Sequence, residues 1–267
     1  MSSFGPYIGI TDFTTRSETG AMLTCFERLA ARRVPHKLMP GVMMSYKTLR
    51  GKETKWSRVF PRKEVVASIF VRHPLAFNTL HYADYDGADV FNSLVEAIFW
   101  GGIDIDALQL DMIWPDPGII ANAVHASRKA ISVILQVGKN ALEEARNEPE
   151  EVLRRIQDYL GAIDGVLFDK SMGRGRLMDA GALLGYVQLV RNSTNLRVAV
   201  AGGLGPATMS AVEPIIKEFP DTSIDAQGKL RPSGSALDPI DWSMAAEYLQ
   251  IAVSLFEKHQ PSVPRPA

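Results

Sequence analysis

Eight short apolar runs recur along this chain, and the segments between them carry the three-to-four-residue period of a helix. The runs occupy residues 7–10, 37–43, 76–81, 107–110, 131–137, 165–168, 197–201 and 223–225. Helices are expected at 20–33, 90–100, 151–160, 184–191, 209–219 and 242–258. In the last of these, Met244, Tyr248, Ile251 and Leu255 fall on one face. Strands that are apolar throughout belong in a parallel sheet covered on both sides. Eight strand–helix units in succession therefore predict a closed (β/α)8 barrel, with its chemistry at the C-terminal strand ends. An open doubly wound sheet would follow its first strand with a glycine-rich dinucleotide turn, and Gly9-Ile10-Thr11-Asp12 is not one. No internal duplication or linker divides the 267 residues. The expected organisation is one α/β barrel over 1–259 and a short tail over 260–267, where Pro261, Pro264 and Pro266 favour fraying.

The chain carries 29 Lys and Arg against 30 Asp and Glu, a net charge of −1. That balance supplies no field for bulk nucleic acid or membrane, so neither partner is expected. No apolar run has the length of a membrane span, and no basic-then-apolar segment opens the chain as a signal peptide would. The lone Cys25 forms neither an intrachain disulfide nor a thiolate metal centre, and a reducing, cytoplasmic setting is expected. His36, His73, His125 and His259 lack two-ligand spacing, so no metal site and no cofactor is expected. Asp111, Asp169 and Asp225 would hold Mg²⁺ only if their carboxylates converged. The aromatic residues fit a monomer or a homodimer equally well.

Charge is nevertheless unevenly spread. Residues 44–63 read as a basic loop after the second strand, with Lys47, Arg50, Lys52, Lys55, Arg58, Arg62 and Lys63 against Glu53 alone. On the rim of a barrel it reads either as a lid that draws in an anion or as a solvated loop. Further on, residues 198–201 run straight into Gly202-Gly203, and Pro206 and Thr208 then open a helix. Glycine lets backbone approach a ligand closely, and free N–H groups at a helix start favour an anion. The eighth strand ends in Asp225-Ala226-Gln227-Gly228, a second such turn. Strands seven and eight are where phosphate sites recur in barrels, so Gly202, Gly203, Gln227 and Gly228 are the expected phosphate ligands.

Five segments occur in order along the chain: Ile8-Gly9-Ile10-Thr11, Leu108-Gln109-Leu110, Gly165-Val166-Leu167-Phe168-Asp169, Ala201-Gly202-Gly203-Leu204, and Asp225…Gly228…Pro232…Gly234…Asp238. Together they resemble the K-I-C-G-I-T, V-Q-L-H, L-L-D-T, A-G-G-L and D-V-S-S-G…P-G…K-D motifs of the phosphoribosylanthranilate isomerase family. The resemblance implies a single TIM barrel of the ribulose-phosphate-binding type, a small anionic phosphorylated substrate and an aldose–ketose (Amadori) isomerisation. It also implies that Asp169 is the acid. The sequence departs from the family at the base, since Ile8 stands in the place of the cysteine, and Asp111 replaces the histidine of V-Q-L-H. An altered base is the expectation, acting on either the family's substrate or an altered one.

The rearrangement needs one group to protonate the ring oxygen and another to remove a proton from C2. Asp169 suits the first role if a like-charged neighbour or burial keeps it protonated. Asp111 and Asp12 are the candidates for the base; each alternatively caps the helix that follows it. His81 reads as a proton shuttle or as a hydrogen-bonded structural residue. Gln109, Lys47, Arg50, Asp225 and Arg174 complete the expected substrate contacts. Asp169-Lys170-Ser171-Met172-Gly173 loosely resembles the K-T-S-T-G strand of deoxyribose-phosphate aldolase-type barrels, which would make Lys170 a Schiff-base lysine. A phosphate-binding homologue without catalysis is a third reading.

Overall fold

Alternation sorts each strand's side chains between two cores. In β6 (Gly165–Asp169), Val166 and Phe168 join an outer core shared with the helices, while Leu167 joins a separate inner core. The same division runs round the molecule, which the computed structural model describes for residues 4–30, 33–169 and 180–260. Chain order is β1 (Tyr7–Thr11), α1 (Arg16–Ala30), β2 (Lys37–Ser45), α2 (Tyr46–Leu49), a 3₁₀ turn (Lys55–Arg58), α3 (Lys63–Ile69), β3 (Thr79–Ala83) and α4 (Val90–Gly101). It continues with β4 (Ala107–Asp111), α5 (Pro117–Ser127), β5 (Ser132–Gly138), α6 (Lys139–Glu144), α7 (Pro149–Gln157), β6 and α8 (Ala180–Ser193). β7 (Arg197–Ala201), a 3₁₀ turn (Pro206–Val212), α9 (Glu213–Glu218), β8 (Ser223–Ala226), a 3₁₀ turn (Gly228–Leu230) and α10 (Trp242–His259) complete it. The eight strands pair in parallel with their sequence neighbours, and β8 closes on β1 through Gly9 opposite Asp225. This is the expected (β/α)8 barrel. No helix among the described residues is long and apolar enough to cross a membrane.

Inside the ring, Tyr7, Met39, Ala107, Ile134, Leu167 and Ala199 fill the lower layers. Phe4 and Phe77, stacked with centroids 4.9 Å apart, belong to the same inner core. Above this apolar plug the inward positions turn polar, and Thr11, His81, Gln109, Gln136, Asp169 and Asp225 are all buried there. An apolar base under a polar rim fixes where chemistry can occur.

Two expectations need correction. Residues 44–63 are not a plain loop: Met44 and Ser45 end β2, and Ser45 caps α2 through a reciprocal pair of hydrogen bonds with Thr48. Trp56, Val59 and Phe60 pack on Met43. Part of the segment's positive charge is answered by acids around α4, since Arg50 pairs with Glu96 and Asp89, and Lys63 pairs with Glu96. The helix expected at 209–219 is a 3₁₀ turn running into the short α9. Pro214, in the first turn of α9, has no N–H to continue an α-helical ladder from the preceding turn.

Asp12 also has a different place from the one expected of a base. It follows β1 with a positive φ of 94°, and its carboxylate receives Arg231 Nη2 at 2.6 Å and Gln227 Nε2 at 3.2 Å. Arg231 donates as well to the carbonyls of Gln227 and Asp238. Both partners of the ion pair are almost fully buried. Burial pushes the Asp12 carboxyl up, while the Arg231 charge and the hydrogen bonds of Gln227 and Arg231 pull it back. The pair ties the segment after β8 to the end of β1. Arg231→Met strands a buried carboxylate and is expected to cost about 3–5 kcal/mol in urea unfolding, part of it recovered by adding Asp12→Asn. A loss under about 1 kcal/mol would show that the pair does not hold this end of the barrel.

Candidate functional site

The inward turn of three strand ends brings three carboxylates to one cleft. Asp111 ends β4, Asp169 ends β6 and Asp225 lies near the end of β8, and all three line a cavity of about 720 Å³ at the C-terminal rim. Residue 9 must be small for this to occur, because a Cβ on Gly9 would approach Asp225 Oδ1 to 2.7 Å. The Thr11 hydroxyl reaches both Asp225 oxygens, at 3.1 and 3.0 Å. Burial raises the Asp225 carboxyl to about 7, against the pull of the Thr11 hydroxyl and with the charges of Asp169 and Asp12 adding to the rise. Asp111 is raised to about 6, again by burial first; its interaction with Tyr85 opposes the rise and the Asp169 charge adds to it. Asp169 is thus felt electrostatically by both of the other carboxylates.

One wall is the pair of turns marked in the sequence. Gly202, with φ 131°, and Gly203, with φ 64°, follow β7 in conformations that favour glycine. Gln227 and Gly228 face the same cavity, joined by Ser233, Gly234 and Ser235. All four residues expected to bind phosphate therefore share one wall. At the turn that follows, Thr208 N is spent on Gly205 O, and the Thr208 hydroxyl donates to Gly203 O.

A further part of the lining is a cover built from the segment after β2. Tyr46, Lys47, Lys55, Trp56 and Phe60 line the cavity. Trp56 stacks on Phe60 with centroids 5.5 Å apart, and the Lys55 ammonium lies 5.1 Å over the Trp56 ring. Lys47 is where substrate contact was expected, with its ammonium 3.7 Å from Asp86. Arg50 is not among the lining residues; Glu96 and Asp89 hold it against α4. Gln109 lies beneath the cleft rather than in it, fully buried, with its amide nitrogen 3.0 Å from Gln136 Oε1 and 3.3 Å from His81 Nδ1. His81 does line the cavity, but burial lowers it to about 4, so it does not titrate as a shuttle near neutrality.

Lys170 and Arg174 lie outside the described residues. Among the described residues no group of three or more His, Cys, Asp and Glu side chains is gathered as metal ligands, so the three aspartates do not form the Mg²⁺ cluster considered from the sequence. Tyr85, Gln136, Trp56 and the Ser233–Ser235 turn were not among the expected site residues, and Thr11 and Gly234 entered only as members of the family motifs. Of these, only the Ser-Gly-Ser turn after the eighth strand left a local signal in the sequence.

No family model matches this chain, and comparison with curated proteins finds no match. Solved structures share its fold. The carboxyl transferase domain of Rhizobium etli pyruvate carboxylase, determined with 3-hydroxypyruvate, aligns with a TM-score of 0.53 at 13% identity, over 98% of this chain and 50% of that one. Tryptophan synthase subunit alpha from Legionella pneumophila str. Paris gives 0.51 at 12% identity, over 95% and 93%. Phosphonopyruvate hydrolase gives 0.51 at 16% identity, over 83% and 74%. The chain spans about half the length of the pyruvate carboxylase domain it matches. At these identities the likeness establishes the barrel and nothing finer.

The raised Asp225 carboxyl has a measurable consequence. Folded, it keeps its proton to about pH 7, against an ordinary value of 3.8. The native state therefore binds more protons than the unfolded state across that window, and the stability Asp225 confers falls as pH rises through it. Asp225→Asn removes the titration. The difference in Tm between wild type and variant is expected to move against the wild type from about pH 4 to 7 and then level off; a difference independent of pH would contradict the placement.

Proposed function

We propose that this chain is an enzyme that binds a small phosphorylated molecule in the rim cleft and moves a proton at a carbon beside a carbonyl. The reading is an aldose–ketose isomerase akin to phosphoribosylanthranilate isomerase, with a carboxylate base in place of the thiolate. The observation that carries it is that Asp111 and Asp169 line one cleft and interact electrostatically, with Asp111 held near 6, where it is ionised at neutral pH yet basic enough to accept a proton. Asp12, locked to Arg231, leaves Asp111 as the base.

In the productive state Asp169 holds a proton and Asp111 does not; Asp169 gives that proton to the ring oxygen and the sugar opens. Asp111 takes the C2 proton, producing an enol or enaminol. Asp111 then returns that proton to C1, and the C2 hydroxyl gives its own to Asp169 as C2 becomes the ketone. Both carboxyls end as they began, and no other reactant is consumed. The phosphate is assigned to the wall of Gly202, Gly203, Gln227 and Gly228, with Lys47 and Lys55 on the cover offsetting its charge.

The test is turnover of phosphoribosylanthranilate and a panel of phosphorylated aldoses. Wild-type kcat/KM is expected to rise with pH through about 6, as the Asp111 carboxyl ionises. Asp111→Asn is expected to lower kcat by about 10²–10⁴-fold and to abolish that limb. A Lys47→Ala change is expected to raise KM with little effect on kcat. A panel in which no compound is turned over and none raises Tm would refute the proposal.

A further inference from the structure

As the C2 hydroxyl gives up its proton in the proposed isomerisation, electron density builds on that oxygen, and the cleft holds a side chain suited to donate to it. His81 is 8% exposed, sits on β3 between Met43 and Gln109, and lines the cavity. Its two nitrogens have different surroundings. Nδ1 faces the amide nitrogen of Gln109 at 3.3 Å, and that nitrogen also donates to Gln136 Oε1 at 3.0 Å. An amide nitrogen carries only hydrogens to offer, so the imidazole nitrogen it faces must present a lone pair. The ring proton is then on Nε2, and Nε2 is buried with no hydrogen-bond partner. A buried, unpartnered N–H on a residue that lines a ligand-sized cleft carries a cost that a ligand acceptor would remove.

We infer that His81 is a neutral hydrogen-bond donor whose Nε2–H donates to the carbonyl oxygen of the substrate, and that Gln109 is the positioning residue that fixes its tautomer. The substrate assignment rests on the function proposed above; the tautomer does not. Burial, which lowers the imidazole to about 4, keeps it uncharged across the working range. A neutral donor strengthens its bond as the oxygen gains charge without surrendering its proton. His81 therefore complements the carboxylates: Asp111 and Asp169 move protons, and His81 holds the oxygen on which charge develops. The layered register explains why Gln109 lies below the floor, since its task is to orient the histidine and Gln136 rather than to touch a ligand.

The experiment has two arms. In the first, ¹⁵N–¹H correlation spectra of histidine-labelled protein, with His81 assigned by its loss in His81→Gln, report the tautomer. A neutral Nε2–H ring from about pH 5.5 to 8 is expected; an Nδ1–H ring, or titration near the ordinary 6.5, would overturn the inference. In the second, calorimetry compares inorganic phosphate with ribulose 5-phosphate. His81→Leu is expected to leave the Kd for phosphate unchanged and to weaken ribulose 5-phosphate about tenfold, while His81→Gln, which retains an N–H donor, restores part of the loss. Equal binding of ribulose 5-phosphate by wild type and His81→Leu would overturn the carbonyl assignment. Failure of wild type to bind inorganic phosphate would instead count against the underlying phosphate reading, with the tautomer still judged by the spectra.

Discussion

When eight parallel strands close into a ring, the space inside is fixed, and every inward side chain must share a layer with its neighbours. In this chain the lower layers are filled by Tyr7, Met39, Ile134 and Leu167, with Phe4 and Phe77 in the same inner core. Bulk at the bottom pushes whatever is small or polar to the top. There Gly9 and Ala201 flank Asp225 in the register, and Ala201 is also the neighbour of Asp169. Small residues on odd strands and aspartates on even strands are what allow three carboxylates to enter one cavity.

Crowding carboxylates has an electrostatic cost, and the structure distributes it unevenly. Asp12 is compensated by Arg231 and serves to anchor the segment after β8. Asp225 is held by the Thr11 hydroxyl and shifts far enough to hold a proton near neutrality. Asp111 shifts less. Groups that interact this closely titrate as a set, so the cleft carries fewer charges at neutral pH than its count of aspartates suggests. That leaves room for an anionic ligand beside them, aided by the lysines of the cover.

The strands were legible because apolar runs of this kind have few alternatives, and each observed strand lies within a few residues of the run that announced it. The long amphipathic α10 was legible for the same reason. By contrast α5 was hidden behind Pro115-Asp116-Pro117-Gly118, which reads as a loop although Asp116 caps the helix and Pro117 begins it. Within the cleft, residues attached to strand ends could be placed, because the barrel rule assigns them a face. Partnerships could not. Arg231 had no local motif, and its bond to Asp12 joins positions 219 apart in the chain. The same long-range pairing explains why Arg50 looked like a ligand contact: Glu96, which neutralises it, lies 46 residues away.

The central claim is that the paired carboxylates of this cleft exchange a proton with a carbon beside a carbonyl. Hydrogen–deuterium exchange tests it whatever the final product of turnover is. Phosphorylated aldoses and ketoses are incubated with the protein in deuterium oxide, and the hydrogen on the carbon next to the carbonyl is followed by ¹H NMR. The account predicts that at least one of them exchanges that hydrogen with wild type and that Asp111→Asn and Asp169→Asn each stop the exchange. No exchange with any of the compounds, or exchange that survives both substitutions, would contradict it.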